Sequence, residues 1–378
     1  MIDYDAIALY EFTDIPGGEH YWLKRISERL KVDIQFFWDN RANKPFLKPS
    51  GFLNFLIYLF TRTASHFSPE FARGIYSLFG TYTYRIKTSG PNIVSSSFIP
   101  LPIGKELITY VHTPSRLLTI YSERELKLRG KRTMSGAYFR IWRMMYYFLY
   151  KSSFSRARLI IANSYNTHNR LKHYFNIDSI IMNPSVDIEN FYCGEFKNYF
   201  FYPSRITSSK RQLFVLEAFF EFYCRNKEFK LILASTSSNS MENRKYLLEV
   251  ETYIQTHQLP VEIRWDLNRK ELIDIYANSY ICLFAGEDED FGQIPIESMA
   301  SCKPIISVKE GGPMETIKDG VTGYLVSDEH EMAERMLELS GNLSKVKEMG
   351  LKGRKHVEST FSDEKFVSDL LKLINGVT

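Results

Sequence analysis

Residues 280–301 read Y-I-C-L-F-A-G-E-D-E-D-F-G-Q-I-P-I-E-S-M-A-S, and the fold turns on where one element stops and the next begins. YICLFAG is a short apolar run of strand type, and the IPIESMASCKP that follows has the spacing of an amphipathic helix. A strand that hands over to a helix in so few residues is the repeating unit of a doubly wound α/β domain. At such a junction the first N–H groups of the helix lack internal partners, and the helix dipole is positive there. Gly292 lets a ligand approach the backbone closely, so Phe291, Gly292, Gln293 and Ile294 predict an anion site suited to phosphate. The four acids before it can be read in two registers. Asp288 and Asp290 form a D-x-D able to hold a divalent ion. Alternatively, Glu289 lies at the strand's carboxyl end and Glu297 about two helical turns on, placed to bond hydroxyls on either side of a bound phosphate.

The same alternation extends in both directions. In the first half, residues 5–12, 32–38, 92–98, 107–112 and 158–164 read as strands, with a helix near 18–30 after a Pro-Gly-Gly turn. Ser164 is a plausible N-cap for a helix ending near Phe175. After a break around 184–197 the pattern restarts with strands at 199–205, 229–235, 261–265, 280–286, 303–308 and 323–326. This predicts a first doubly wound domain over 1–184, a second over 185–361, and a terminal stretch, 362–378. Its helix, near 363–375, follows a helix rather than a strand, which leaves it able to pack back on the first domain. Ligands in such domains sit at the carboxyl ends of the strands.

With 378 residues the chain suits two ordinary domains. The four cysteines are widely spaced with no C-x-x-C, which reads as reduced, mostly buried thiols of a cytoplasmic protein. The eight histidines show no zinc-ligand spacing. No signal peptide is expected at Met1–Tyr10, and the apolar run 52–60 is too short to span a bilayer. Residues 1–184 hold 25 Lys and Arg against 13 Asp and Glu, a net of +12. The remainder holds 23 against 31, a net of −8, so the formal +4 hides a basic half and an acidic half. One half meeting an anionic surface accounts for this; so does uneven surface charge without a partner.

A second ligand-facing loop is YPSRITSSKRQ, 202–212, where Arg205 and Lys210 can neutralise a diphosphate. Each charge-assisted contact is worth about 1.5–3 kcal/mol. Arg211 competes with Lys210 for the role. Cations at a helix start oppose its dipole, which favours a ligand over mere capping.

With these residues in place, the chain resembles the retaining GT-B glycosyltransferases of family four. The family's E-x7-E stands here as Glu289-Asp-Phe-Gly-Gln-Ile-Pro-Ile-Glu297, its G-G-x-x-E as Gly311 to Glu315, and its D-G-x-x-G-x-L-V as Asp319 to Val326. Its R-x4-K pair matches Arg205 and Lys210. The glycine-rich first loop is similar to Ile15-Pro16-Gly17-Gly18-Glu19, and YVHTPSR (110–116) resembles the H-T-P-x-R of a mannosyltransferase-like branch. A histidine after an apolar strand is ordinarily a satisfied core residue; the Thr-Pro turn after His112 favours a site role. Ser185 and Asp266 stand where the family usually has glycine.

The resemblance implies two Rossmann-like domains facing each other across a cleft, and transfer of a hexose from a nucleotide sugar. Glu297 would hold the ribose, while Arg205, Lys210 and the amides of 291–294 would hold the diphosphate. Glu289 and His112 would hold the transferred sugar, and Gly17 and Gly18 the donor phosphate or the acceptor. With cations and a helix dipole in place, no metal or other cofactor is expected, and the D-x-D reading gives way. GDP-mannose is the favoured donor, on the histidine motif alone. Residues 138–159 interleave Arg and Lys with aromatics: either an interfacial segment that meets anionic membrane and a lipid-linked acceptor, or a buried helix with basic flanks. The expectation is a cytoplasmic, peripherally membrane-associated enzyme acting on a glycan or lipid-linked acceptor, with no nucleic-acid partner. The rivals are a non-catalytic sugar-nucleotide or glycan-binding module and, among enzymes, a metal-dependent transferase using Asp288 and Asp290.

Overall fold

The computed structural model describes residues 8–13, 18–32, 34–39, 44–45, 92–96, 107–115, 157–237 and 241–376, and positions 118, 119, 144, 147, 148, 150–152, 154 and 155. The chain divides into two units, Met1–Pro184 with Phe366–Thr378, and Ser185–Lys365.

In the first unit β1 (Ala8–Thr13), α1 (Gly18–Leu30), β2 (Ile34–Asp39), β3 (Lys44–Pro45), β4 (Asn92–Ser96), β5 (Leu107–Val111), β6 (Ala157–Ala162), α2 (Tyr165–Phe175) and β7 (Ile180–Ile181) follow in order. The sheet runs β3-β2-β1-β4-β5-β6-β7 and is parallel except for β3. Ser164 caps α2 by accepting the Thr167 N–H at 2.9 Å, and Asn176 ends it in the left-handed region at φ 53°. Buried Trp22, Leu23, Ile26 and Tyr110 form a core with Phe366 and Leu370 from the chain's terminal helix.

The second unit holds β8 (Tyr199–Pro203), α3 (Gln212–Arg225), β9 (Lys230–Ser235), α4 (Met241–Thr256), β10 (Val261–Trp265), α5 (Arg269–Asn278), β11 (Ile281–Phe284) and α6 (Gln293–Ala300). There follow β12 (Ile305–Val308), α7 (Pro313–Thr316), β13 (Gly323–Val326), α8 (Glu329–Ser340), α9 (Leu343–Thr360) and α10 (Asp363–Ile374), whose last residues from Phe366 belong to the first unit. Strands β8, β11 and β12 are buried at every position, as parallel strands covered on both faces must be. The order is β10-β9-β8-β11-β12-β13, so the winding reverses between β8 and β11. Loops leaving adjacent strand ends at such a switch point splay apart and open a crevice.

The cysteines depart from expectation. Cys193 and Cys302 form a disulfide across 109 residues of sequence, with Cα atoms 5.2 Å apart; Cys282 is buried and Cys224 exposed. Sequence spacing hid this pair because only the folded segment after β7 brings Cys193 to the end of α6. Lys303 reinforces the junction, its ammonium donating to the Glu195 carbonyl at 2.8 Å and lying 3.4 Å from the Phe196 ring centroid. Burial draws that ammonium down to about 8.

Candidate active site

The site grows from the reversal between β8 and β11. The β8 chain leaves through Ser204 and Arg205 into a short 3₁₀ turn, Ser208–Lys210. The Tyr202 hydroxyl donates to the Lys210 carbonyl, and the Glu287 N–H reaches the Ser209 carbonyl at 2.8 Å, which joins this loop to the one after β11. Lys210 then donates to Glu289 Oε2 and lies 5.6 Å from the Phe284 ring centroid. The side chains of Lys210 and Glu289 are 19% and 22% exposed, so solvent screens their pairing less than that of an ordinary surface pair. Arg205 is exposed at the mouth of the loop, its carbonyl held by Gln212 Nε2 at 2.9 Å. Arg211 turns elsewhere, to Glu310 at 2.8 Å and Glu287 at 3.7 Å.

Gly292 precedes α6 with φ +90°, a conformation costly to any other residue, and no side chain caps the helix start. The Gly312 N–H donates to the Glu289 carbonyl at 2.8 Å, and a Cβ on Gly312 would lie 2.2 Å from the Phe291 carbonyl oxygen. Glycine at 312 thus lets two backbones touch and fixes the loop carrying Glu289. Phe291 serves this through its backbone; its ring is buried and meets Phe361 edge-on. Gln293 and Ile294 open α6 and supply its first N–H groups.

Glu297 stands in the second turn of α6 with its side chain 14% exposed. Arg269 Nη1 donates to Oε1 at 2.8 Å, and the Tyr276 hydroxyl donates to Oε2 at 2.9 Å. The Arg269 guanidinium lies 4.9 Å from the Phe191 ring centroid. Sequence reading missed Arg269, Tyr276 and Phe191. One signal was present: Arg269 begins a helix, where its charge opposes the dipole.

In the first unit His112 is buried just past β5, its Nε2 2.9 Å from Ser95 Oγ, and it meets the stacked rings of Trp22 and Tyr110 edge-on, with centroids 5.2 and 4.9 Å away. Gly18 opens α1, while Gly17 lies outside the described residues. Of the basic aromatic segment, Arg140, Trp142, Arg143 and Tyr146 are also outside them. Met144, Phe148 and Lys151 are exposed, whereas Tyr150 and Phe154 are buried against Phe175. The described positions of this stretch thus include both core residues and exposed ones. No described helix is long and apolar enough to cross a membrane.

Residues 193–356, most of the second unit, match the family model described as glycosyl transferases group 1. The second unit is a group 1 glycosyltransferase domain. The chain is 24% identical over 249 residues to an α-1,3/1,6-mannosyltransferase of Dictyostelium discoideum, covering 60% of this chain and 58% of the relative. It is 28% identical over 204 residues to a probable sucrose-phosphate synthase of Thermosipho melanesiensis, covering 51% and 46%. The chain thus spans less than two thirds of these relatives. Anabaena HepE, solved in complex with UDP-glucose, superposes with a TM-score of 0.69 at 16% identity, over 98% of this chain and 99% of that one. That likeness is one of fold: the chain has the GT-B architecture of two Rossmann-like domains.

Two departures from the group 1 pattern now have structural accounts. Asp266 occupies the left-handed region at φ 51°, which explains the usual glycine, and its carboxylate accepts the Ser237 N–H at 2.9 Å. Ser185 is buried and donates to Asp363 Oδ1 at 2.5 Å. As for the D-x-D, Asp288 is itself left-handed at φ 49° and Asp290 is buried. Among the described residues the three-ligand cluster that converges is Glu221, His330 and Glu334, on α3 and α8.

Proposed function

We propose that the chain is a retaining, metal-independent hexosyltransferase that moves a sugar from a nucleotide donor to a glycan or lipid-linked acceptor. The observation that carries this reading is the Lys210–Glu289 pair at the β8/β11 reversal, beside the uncapped start of α6. A donor diphosphate there meets Lys210, Arg205 and the N–H groups of Gln293 and Ile294. Lys210 exchanges Glu289 for phosphate, and Glu289 exchanges the ammonium for a hydroxyl of the transferred sugar. The bond from the sugar's anomeric carbon to the phosphate oxygen breaks as the bond to the acceptor oxygen forms on the same face. The acceptor's proton passes to the departing diphosphate. Negative charge grows on that diphosphate, and a preplaced ammonium and helix start stabilise it.

Mannose and GDP rest on the H-T-P-S-R motif and the mannosyltransferase relatives; the motif alone assigns His112 to the sugar. A peripheral place on the cytoplasmic face of a membrane is supported by the basic excess of residues 1–184 and by exposed Met144 and Phe148. The Cys193–Cys302 bond pulls the other way, toward an oxidising compartment.

The test is a thermal-shift screen of GDP-mannose, UDP-glucose and related donors, followed by assay of nucleoside diphosphate release. A donor at 100 times its Kd adds about 2.7 kcal/mol of stability. Binding of one donor with turnover is expected. Binding without turnover would instead identify a sugar-nucleotide-binding module.

A further inference from the structure

Glu297 is a carboxylate inside a packed helix, and its geometry is imposed from one side by a single neighbouring helix. Arg269 and Tyr276 lie seven residues apart on α5 and therefore on the same face. They divide the carboxylate between them, Arg269 on Oε1 and Tyr276 on Oε2. A carboxylate oxygen accepts two hydrogen bonds, so each oxygen keeps one acceptor position for a ligand. The two remaining positions are a pair of acceptors at fixed separation, the complement of a vicinal diol.

The supporting residues are themselves fixed. Phe191 is buried, with Arg269 over its face and Tyr276 against it at 5.9 Å between ring centroids. Burial, with the Glu297 charge adding to it, holds the Tyr276 phenol well above its ordinary range, so it stays protonated and donates. Arg269 sits at the wrong end of a helix for its charge, and Glu297 offsets that cost. A guanidinium fork bonds in a set plane, which a lysine ammonium cannot reproduce.

We infer that Arg269 and Tyr276 are positioning residues that set the Glu297 carboxylate to read the ribose diol of the donor nucleotide. The inference rests on the donor-site reading above.

The test measures affinity for UDP and GDP and for their 2′,3′-dideoxy counterparts, in wild type, Tyr276→Phe and Arg269→Lys. Wild type is expected to bind one ribonucleotide about tenfold or more tighter than its dideoxy form, since hydrogen bonds to a charged group are lost. In Tyr276→Phe and Arg269→Lys that preference should fall to a few-fold, with dideoxy binding and the melting temperature close to wild type. A merely structural role would weaken both nucleotides equally and leave the preference intact; that result overturns the inference while sparing the donor site. If wild type binds neither ribonucleotide, the donor-site reading fails and takes the inference with it. Should Arg269→Lys fail to fold, the preference of Tyr276→Phe alone decides.

Discussion

The two acids of the E-x7-E stretch are both half-buried and both paired with a cation, yet they are held in different ways. Glu289 has a lysine, a point charge on a flexible stem, reaching it from a loop. Glu297 has an arginine and a tyrosine, both rooted in one helix and packed on Phe191. An ammonium can change partners with little reorganisation, whereas a planar fork backed by an aromatic ring keeps its place. The contrast separates a contact built to be exchanged during reaction from one built to stay. Under the function proposed above, the first serves the chemical step and the second serves binding.

The largest effect should fall on the exchanging side. Glu289→Ala should reduce kcat by roughly 10²–10³-fold, because it removes the sugar contact and leaves Lys210 without its resting partner. Steady-state donor turnover measures this, and a change confined to KM would place Glu289 with the binding groups. Next in size, Glu297→Ala should raise the donor KM by about 10-fold or more with kcat nearly kept. A loss of kcat as large as that of Glu289→Ala would erase the contrast.

Smaller again is the effect of the disulfide, which staples the end of the Glu297 helix and not the Lys210 loop. Cys193→Ser should cost about 2–4 kcal/mol of stability in chemical unfolding. It should leave kcat unchanged and raise the donor KM slightly. Equal unfolding curves with and without a reductant would mean that the bond adds nothing to stability. Least of all should follow from the D-x-D residues. Asp288→Ala should be nearly silent, and turnover should survive excess EDTA. Complete loss restored by Mg²⁺ or Mn²⁺ would return those aspartates to the mechanism.

Much of this is legible in the sequence. The strands of the second unit are continuous apolar runs, and the cap at Ser164 is written in the residue itself, since local chemistry decides both. The glycines at 292 and 312 were readable as motif, though only the structure shows that Gly312 is there for backbone contact with Phe291. The pairings were not legible. Lys210 and Glu289 are 79 residues apart and meet because β8 and β11 are neighbours at the reversal. Arg269 finds Glu297 from 28 residues away by helix packing, and Cys193 finds Cys302 from 109. Such contacts depend on strand order, which residue spacing alone does not contain. His112 was legible as a motif. Its motif points to a ligand, and only the structure shows that its ring also meets Ser95, Trp22 and Tyr110.

In the proposed reaction Lys210 leaves Glu289 for the donor's diphosphate and meets the charge that grows on it. This exchange is tested most directly by nucleoside diphosphate release from the best-binding nucleotide sugar, in wild type and Lys210→Ala, across donor concentration. The account predicts a kcat lower by roughly 10²–10³-fold in the variant, with KM changed far less. A rise in KM at unchanged kcat would contradict it, by showing that Lys210 binds the donor and takes no part in breaking the bond.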